Sequence, residues 1–599
     1  MESNNLITRW ANLVDISNPL PEYPRPQFKR EKWLCLNGKW KYFISKKNEH
    51  VEKFSNIKFN GEIIVPFPIE SYLSRVQQSL KPNQKLWYYR KFKVPDNWNF
   101  DKENNRIFLN IGAADWKAMV WINNKFIGEH LGGYSSFSFD ITDALKLEEE
   151  NEILISCWDP SNKGNQERGK QSLNPWGIFY TAVSGIWRTV WIEPISKTYI
   201  GKFKIRTDVD NSIIFLDLYI RNNLVDKNLK ISVEIPQIKF STNQFIEKIE
   251  NKTENLDIYK FQIKIDSPHL WSFSDPYLYD IKFKLELNDV VIDNVDSYFG
   301  MRKISLKKDQ KGIPRIALNN EIIFLYGPLD QGYWPDGLYT APTDDALKFD
   351  IEIAKRIGFN CIRKHVKIEP ERWYYYCDKL GMLVLQDMPN GGRITGGALS
   401  GILFKGKILI GVGRNKKSVQ KNYYNELLAM INFLYNHPSI IMWIPFNEGW
   451  GQFQTENVVK FIENLDSTRL INNASGWIDY GVGHIHDIHS YPEPKIPPLE
   501  KERALICGEF GGLGLEVEKH TWKKNRKWSY RKYESLLELE KKYMESIEKL
   551  KNLKELGLAG AIYTQLTDVE GEVNGLLTYD REIIKINENI LNQVHKKII

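Results

Sequence analysis

From Pro314 onward the chain repeats one unit: a short apolar run, a turn, then a longer stretch with helical periodicity. Eight such runs are expected as buried strands: Ile322 to Tyr326, Cys361 to His365, Leu383 to Asp387, Ile440 to Phe446, Leu470 to Ala474, Ile485 to His489, Leu505 to Glu509, and Gly560 to Gln565. Continuous rather than alternating apolar character marks strands covered on both faces, as parallel sheets require. The stretches between them are amphipathic. From Tyr424 to Tyr435, for example, Leu427, Met430, Ile431 and Leu434 share one helical face, and His437-Pro438 ends the pattern. Eight strand and helix units in under 300 residues predict a (β/α)8 TIM barrel, whose chemistry belongs at the carboxyl ends of its strands.

The preceding half has no helical period. Through residue 194 short alternating strands are broken by turn clusters, as in Trp87 to Pro95 and Met119 to Gly128, the latter containing the hairpin signal Asn123-Asn124. Such spacing predicts a β-sandwich over 1–194. A second all-β stretch, 195–306, has the length of one immunoglobulin-like β-sandwich, about a hundred residues. The barrel then occupies 307–599. The net charge of +7 comes from Lys scattered along the chain without a basic block, which argues against nucleic acid as a partner. The five Cys, at 35, 157, 361, 377 and 507, show no paired spacing, so a reducing compartment is expected. No leader pattern opens the sequence and no apolar run reaches bilayer length, giving the expectation of a soluble, cytoplasmic protein with no membrane partner. Homo-oligomer formation is left open.

Two carboxylates stand out. Ile440 to Trp450 reads I-I-M-W-I-P-F-N-E-G-W, a buried strand that delivers Asn447 and Glu448 at its carboxyl end; Glu509 ends strand seven in A-L-I-C-G-E-F-G. Strands four and seven lie across the mouth of an eight-stranded barrel, so these acids can converge, and a facing carboxylate pair is what glycoside hydrolysis needs. Taken singly, each also reads as a capping or ion-pairing residue. Arg363 and His365, two apart on strand two, leave from one face. Arg363 is placed to support the nucleophile and His365 to meet a sugar hydroxyl. His484, His486 and His489 invite a metal reading, but alternation separates the first two from the third, so hydrogen-bonding roles are preferred, with His489 in the pocket. Gly411-Val412-Gly413 lacks the third glycine and preceding strand of a dinucleotide site. Asn390 to Gly397 follows strand three and is expected to form a rim or lid.

Gly132-Gly133-Tyr134 to Phe137, Phe139 to Thr142, G-I-W-R-T-V-W-I-E (Gly185 to Glu193), Leu270 to Tyr279 and Phe299 to Ile304 together resemble glycoside hydrolase family 2 along the whole chain. That resemblance implies a jelly-roll first domain and an exo-acting β-glycosidase that retains anomeric configuration and needs no cofactor. It assigns Glu448 as acid/base, Glu509 as nucleophile, Tyr491 as the nucleophile's hydrogen-bond donor and Asn447 as holder of the sugar 2-hydroxyl. The chain departs from the family pattern in two places. Asp330 and Gln331 stand after strand one where an Asn and a His followed by an acidic residue are usual, and Thr564 or Gln565 replaces a Trp after strand eight. Family β-glucuronidases hold the substrate carboxylate with an N-x-K motif; here Glu572-Val573-Asn574 occupies that place, while Asn525-Arg526-Lys527 lies elsewhere, in a Lys-rich loop. An acid beside a uronate carboxylate is unfavourable, so a neutral glycone is expected, galactose ahead of mannose or arabinose. The alternatives are a glucuronidase, a mannosidase or arabinosidase, and a carbohydrate-binding protein with a dead barrel.

Overall fold

The computed structural model describes residues 6–599 except 52, 222–228, 252–254, 393–413 and 523–526. In the first domain a six-stranded antiparallel sheet runs in the order Gly61–Val65, Gly38–Lys46, Gln84–Phe92, Asn151–Trp158, Lys117–Ile122, Lys125–Leu131. It faces a four-stranded sheet ordered Leu34–Cys35, Val190–Ser196, Asn105–Ile111, Phe137–Asp140. Alternate residues such as Ile153, Ile155, Ile107, Leu109 and Ile192 meet in the core between them, the period-two burial of a sandwich. The expected turn is present: Asn123 and Asn124, both at positive φ, join two paired strands, as a type I′ hairpin requires.

Two further four-stranded antiparallel sheets, built from strands between Tyr199 and Phe299, form the second sandwich. Its core is the inward set Ile214, Leu216, Leu218, Ile220, Phe261 and Phe283. A three-stranded sheet, Ile304–Lys308, Pro314–Leu318 and Glu321–Ile322, follows. Its Ile304, Ile316 and Leu318 share a core with Leu325, Cys361, Leu383 and Ile506 of the barrel interior, closing the barrel floor. This corrects the expectation for the first strand. Asn319 and Asn320 at positive φ turn the chain into a hairpin, so Ile322 belongs to the floor and the barrel strand begins three residues later.

The barrel strands are β1 (Leu325–Asp330), β2 (Cys361–Lys364), β3 (Leu383–Asp387), β4 (Ile440–Ile444), β5 (Leu470–Ile471), β6 (Ile485–Ser490), β7 (Ala504–Gly511) and β8 (Leu558–Thr564). They pair in parallel in the order β5-β4-β3-β2-β1-β8-β7-β6, so the sheet curls round with a seam between β5 and β6. There Asn472 forms a bridge to Gly483. The outer layer includes α1 (Asp344–Arg356), α2 (Glu371–Leu380), α3 (Lys417–Leu434), α4 (Thr455–Leu465), α5 (Leu536–Leu556) and α6 (Glu588–Lys596). Thr343 caps α1 by accepting from the Ala346 N–H at 3.1 Å, and Asp344 and Asp345 sit in its first turn, both favourable at a helix N-terminus. In α3 the predicted face, Leu427, Met430, Ile431 and Leu434, is the buried one. No described helix is long and apolar enough to cross a membrane.

Candidate active site

β4 ends at Ile444, and the chain then turns sharply. Glu448 has φ 51° and Gly449 φ 74°, and the Glu448 N–H donates to the Ser475 carbonyl at 2.8 Å. Gly449 is required at this position. A Cβ would stand 2.3 Å from Ile478 Cδ1, on top of the left-handed φ. The turn puts the Glu448 carboxylate over the barrel mouth, nearly buried, with Oε1 2.9 Å from His489 Nδ1. Glu509 arrives from the facing side where the pairing of β7 with β8 shifts register between Cys507 and Phe510. Single carboxylate oxygens of Glu448 and Glu509 and a nitrogen of His489 all lie within 4.8 Å of one another.

Arg363 is the hub beneath the pair. Fully buried, it donates to both oxygens of Asp387 at 3.0 and 2.9 Å, to Asn447 Oδ1 at 2.6 Å, to Glu509 Oε1 at 3.1 Å and to the Gly508 carbonyl at 3.1 Å. Tyr491 donates its hydroxyl to the other Glu509 oxygen and stacks on Tyr530 with centroids 3.5 Å apart. Burial alone would push the Glu509 carboxyl up, but the charges of His489, Arg363 and Lys170 outweigh it and hold the group well below its ordinary value. At His489 the balance runs the other way. Burial disfavours the imidazolium, yet Glu509, Glu448 and Asp487 around it raise its pKa. The site thus holds an ionised carboxylate opposite a second carboxylate that an imidazole bridges.

The other expected residues divide. His365 is buried with Nδ1 2.9 Å from Asp387 Oδ2, and burial holds its pKa well below the ordinary value, so it is a neutral imidazole. Gln331 donates to Gln565 Oε1 at 2.9 Å, Gln565 to Asn574 Oδ1 at 2.9 Å, Asn574 to Glu572 Oε1 at 3.0 Å, and Tyr180 of the first domain to the other Glu572 oxygen. Asp330 does not join this chain and requires correction. It accepts from Lys364 and from the Gly332 N–H at 2.8 Å, because strand alternation turns it to the helix side of β1. There Lys364 also meets Glu369 and the Trp373 ring. Residues 393–397 of the expected rim lie outside the described residues, as do 411–413 and Asn525-Arg526; Lys527 is ion-paired to Glu516.

Alternation does separate the histidines. His484 accepts from the Ile471 N–H at 3.0 Å and His486 pairs with Glu500 at 2.7 Å, both away from the mouth. Among the described residues, the two groupings with metal-ligand character are Glu448–His489–Glu509 and Asp479–His486–Glu500. The members of the first are engaged with one another. In the second, Arg503 binds Asp479 at 2.7 Å and also pairs with Glu500, supplying the positive charge.

Sequence reading missed an element from the other end of the chain. Residues 166–181 of the first domain form a strap across the mouth. Asn390 O accepts from the N–H groups of Arg168 and Gly169 at 2.8 and 3.0 Å, and Arg414 pairs with Glu167 at 3.0 Å. Gly169, at φ 60°, runs so close to the barrel that a Cβ would meet the Val366 carbonyl at 2.7 Å. The strap delivers Lys170 and Tyr180, both buried, and Phe179, which stacks on Trp450 at 5.5 Å. The available signal was a stretch of an all-β domain without alternation, carrying R-G-K-Q.

Three family models match the chain: the Glycosyl hydrolase 2 galactose-binding domain-like at 69–191, Glycosyl hydrolases family 2 at 198–302, and the Glycosyl hydrolases family 2 TIM barrel domain at 339–529. A β-galactosidase of Thermoanaerobacter pseudethanolicus is 24% identical over 68% of this chain and 51% of its own length. A β-glucuronidase of Bacteroides fragilis is 26% identical over 65% of this chain and 54% of its own. The chain therefore spans about half the length of these curated relatives. In fold it is similar to a β-galacturonidase from Eisenbergiella tayi, with a TM-score of 0.72 at 17% identity over 96% of this chain and 99% of that one. Two sandwiches, a parallel eight-stranded barrel and matches along most of the sequence lead to one conclusion: the chain belongs to glycosyl hydrolases family 2.

Proposed function

We propose that this protein is an exo-acting β-glycosidase that works by double displacement and takes a neutral terminal sugar. The observation that carries the reading is the approach of Glu448 and Glu509, with carboxylate oxygens inside 4.8 Å. Retaining enzymes hold their carboxyl groups about 5 to 5.5 Å apart, whereas inverting ones leave about 6.5 to 9.5 Å for a water. In the first step the ionised Glu509 attacks the anomeric carbon while the Glu448 carboxyl gives its proton to the departing oxygen. In the second, Glu448 as carboxylate takes a proton from water, which attacks the same carbon and frees Glu509. Asn447, oriented by Arg363, is assigned to the 2-hydroxyl, and Tyr491 to keeping the nucleophile aligned. His365 and Gln565 line the sugar side. The division of the chain at 194 and 306 is part of the same proposal.

For the sugar, a galactoside is placed first, with mannoside and arabinoside behind it. Glu572, in the position where family glucuronidases carry the carboxylate-binding motif, supports a neutral ring. A uronide is the second reading, favoured by the relatives whose descriptions name β-glucuronidase and β-galacturonidase activity. A panel of nitrophenyl glycosides tests both. Glu448→Gln and Glu509→Gln should each lower turnover by several orders of magnitude without unfolding the chain. On an activated substrate, azide should rescue Glu448→Ala and yield a β-glycosyl azide, because only deglycosylation then lacks its base. Near-native activity of both Gln variants would sink the reading.

A further inference from the structure

Lys170 is 6% exposed, and its ammonium has no hydrogen-bond acceptor and no carboxylate within ion-pair distance among the described residues. Its nearest ring is Tyr180, 5.8 Å from Nζ. The residue is buried but its ammonium is not sealed from solvent, and the strap goes to some length to put it there. Gly169 is pressed against Val366, which directly follows His365, and the Lys170 carbonyl accepts from the Tyr180 N–H at 2.9 Å. The Tyr180 hydroxyl in turn holds Glu572. The charge of Lys170 is felt at Glu509, His365 and Glu572, which stand on β7, just after β2 and beyond β8. The space common to those three is the barrel mouth.

We infer that Lys170 and Glu572 form a polar clamp in the sugar subsite, the ammonium donating to one ring hydroxyl and the carboxylate accepting from its neighbour. This rests on the glycosidase reading above and narrows its substrate class to sugars presenting an adjacent pair of free hydroxyls in place of a carboxylate. The charge balance selects the hydroxyls. The buried mouth already holds the acidic groups Asp387, Asp487, Glu509 and Glu572 beside Glu448, against the basic groups Arg363, His489 and Lys170. Arg363 is already committed to Asp387, Asn447 and Glu509. A uronate would add a further acidic group beside Glu572 with one ammonium to meet it. A diol adds none, and it satisfies Lys170 and the spare lone pairs of Glu572 together.

The test is binding, read by calorimetry on the intact protein with D-galactose, D-mannose and L-arabinose against D-glucuronate and D-galacturonate. At least one neutral sugar is expected to bind more tightly than both uronates. Lys170→Met, which keeps the apolar stem, and Glu572→Gln should each weaken that sugar tenfold or more. The double variant should lose less than the product of the two, because both residues grip one diol. Lys170→Arg keeps the charge and provides a second reading should the Met variant not fold. It is expected to lose neutral-sugar affinity through its altered donor geometry. The inference is overturned by a uronate preference in the native protein, by failure to bind any neutral sugar, or by neutral-sugar affinity unchanged in Lys170→Met or Lys170→Arg. Turnover is scored separately. Neutral sugars held through Lys170 without hydrolysis of any glycoside would sink the glycosidase reading and leave the clamp standing.

Discussion

Replacing Arg363 by methionine should unsettle both the fold and the nucleophile, and the two effects can be read apart. Arg363 is fully buried and supplies two of the hydrogen bonds to Asp387 and one to Glu509. Its loss leaves Asp387 with His365 and the Val366 N–H, and leaves Glu509 with Tyr491 and with His489 at 3.6 Å. Breaking a buried ion pair by removing one partner costs about 3 to 5 kcal/mol. At roughly 2 °C per kcal/mol for a large domain, the barrel transition should fall by about 6 to 10 °C. The Glu509 carboxyl is held below its ordinary value because His489, Arg363 and Lys170 together outweigh burial. For a carboxylate with depressed pKa, activity is present above that pKa and is lost as pH falls through it. Removing the Arg363 charge raises the pKa, so the acid limb of kcat/KM should move upward by on the order of one pH unit, equivalent to about 1.4 kcal/mol. Profiles measured on an activated nitrophenyl glycoside, with Arg363→Lys as an intermediate, decide it. An acid limb that stays in place while the melting temperature falls would show that Arg363 supports the fold without holding the nucleophile ionised.

Two other substitutions probe separate parts of the mouth. Tyr491→Phe removes the hydroxyl that donates to Glu509; a hydrogen bond to a charged group is worth about 1.5 to 3 kcal/mol, so kcat should fall by about tenfold to a hundredfold with little change in melting temperature, and an unchanged kcat would remove Tyr491 from the mechanism. Gly169→Ala forces a left-handed φ on alanine and sets its Cβ against Val366 and Tyr339, at about 1 to 2 kcal/mol for the backbone alone. It should raise KM more than it lowers kcat, and an unaltered KM would mean that the strap does not position sugar-contacting groups.

The barrel was legible because its signals are local. A doubly buried strand must be a continuous apolar run, so Leu383 to Asp387 was placed to the residue, and acids delivered at strand ends fall where barrel geometry exposes them. Ile322 was misplaced because an apolar residue in a floor hairpin is written like one in a barrel strand, and only the Asn319-Asn320 turn distinguishes them. Asp330 was set in the mouth by its position after an expected strand ending at Tyr326; the strand runs on to Asp330, and alternation with Leu329, which packs in the barrel interior, turns Asp330 to the helix side. Lys170 and Tyr180 lay beyond reach for a different reason. Their place at the mouth is decided by docking between distant segments, and no periodicity in residues 166–181 encodes what they will touch.

The strap therefore makes the site a joint inheritance. Tyr180 and the glutamate it holds are separated by 392 positions in the chain, so a crossover that brought in a barrel from a cousin would import Glu572 without the residues that hold and complement it. The barrel produced alone would retain Glu448, Glu509 and Arg363 yet lack one wall of its mouth. During synthesis the first domain emerges well before the barrel it serves, leaving Lys170 in water until the last βα unit is made. Selection on the sugar thus acts on both ends of the chain at once, and these positions should drift as a pair.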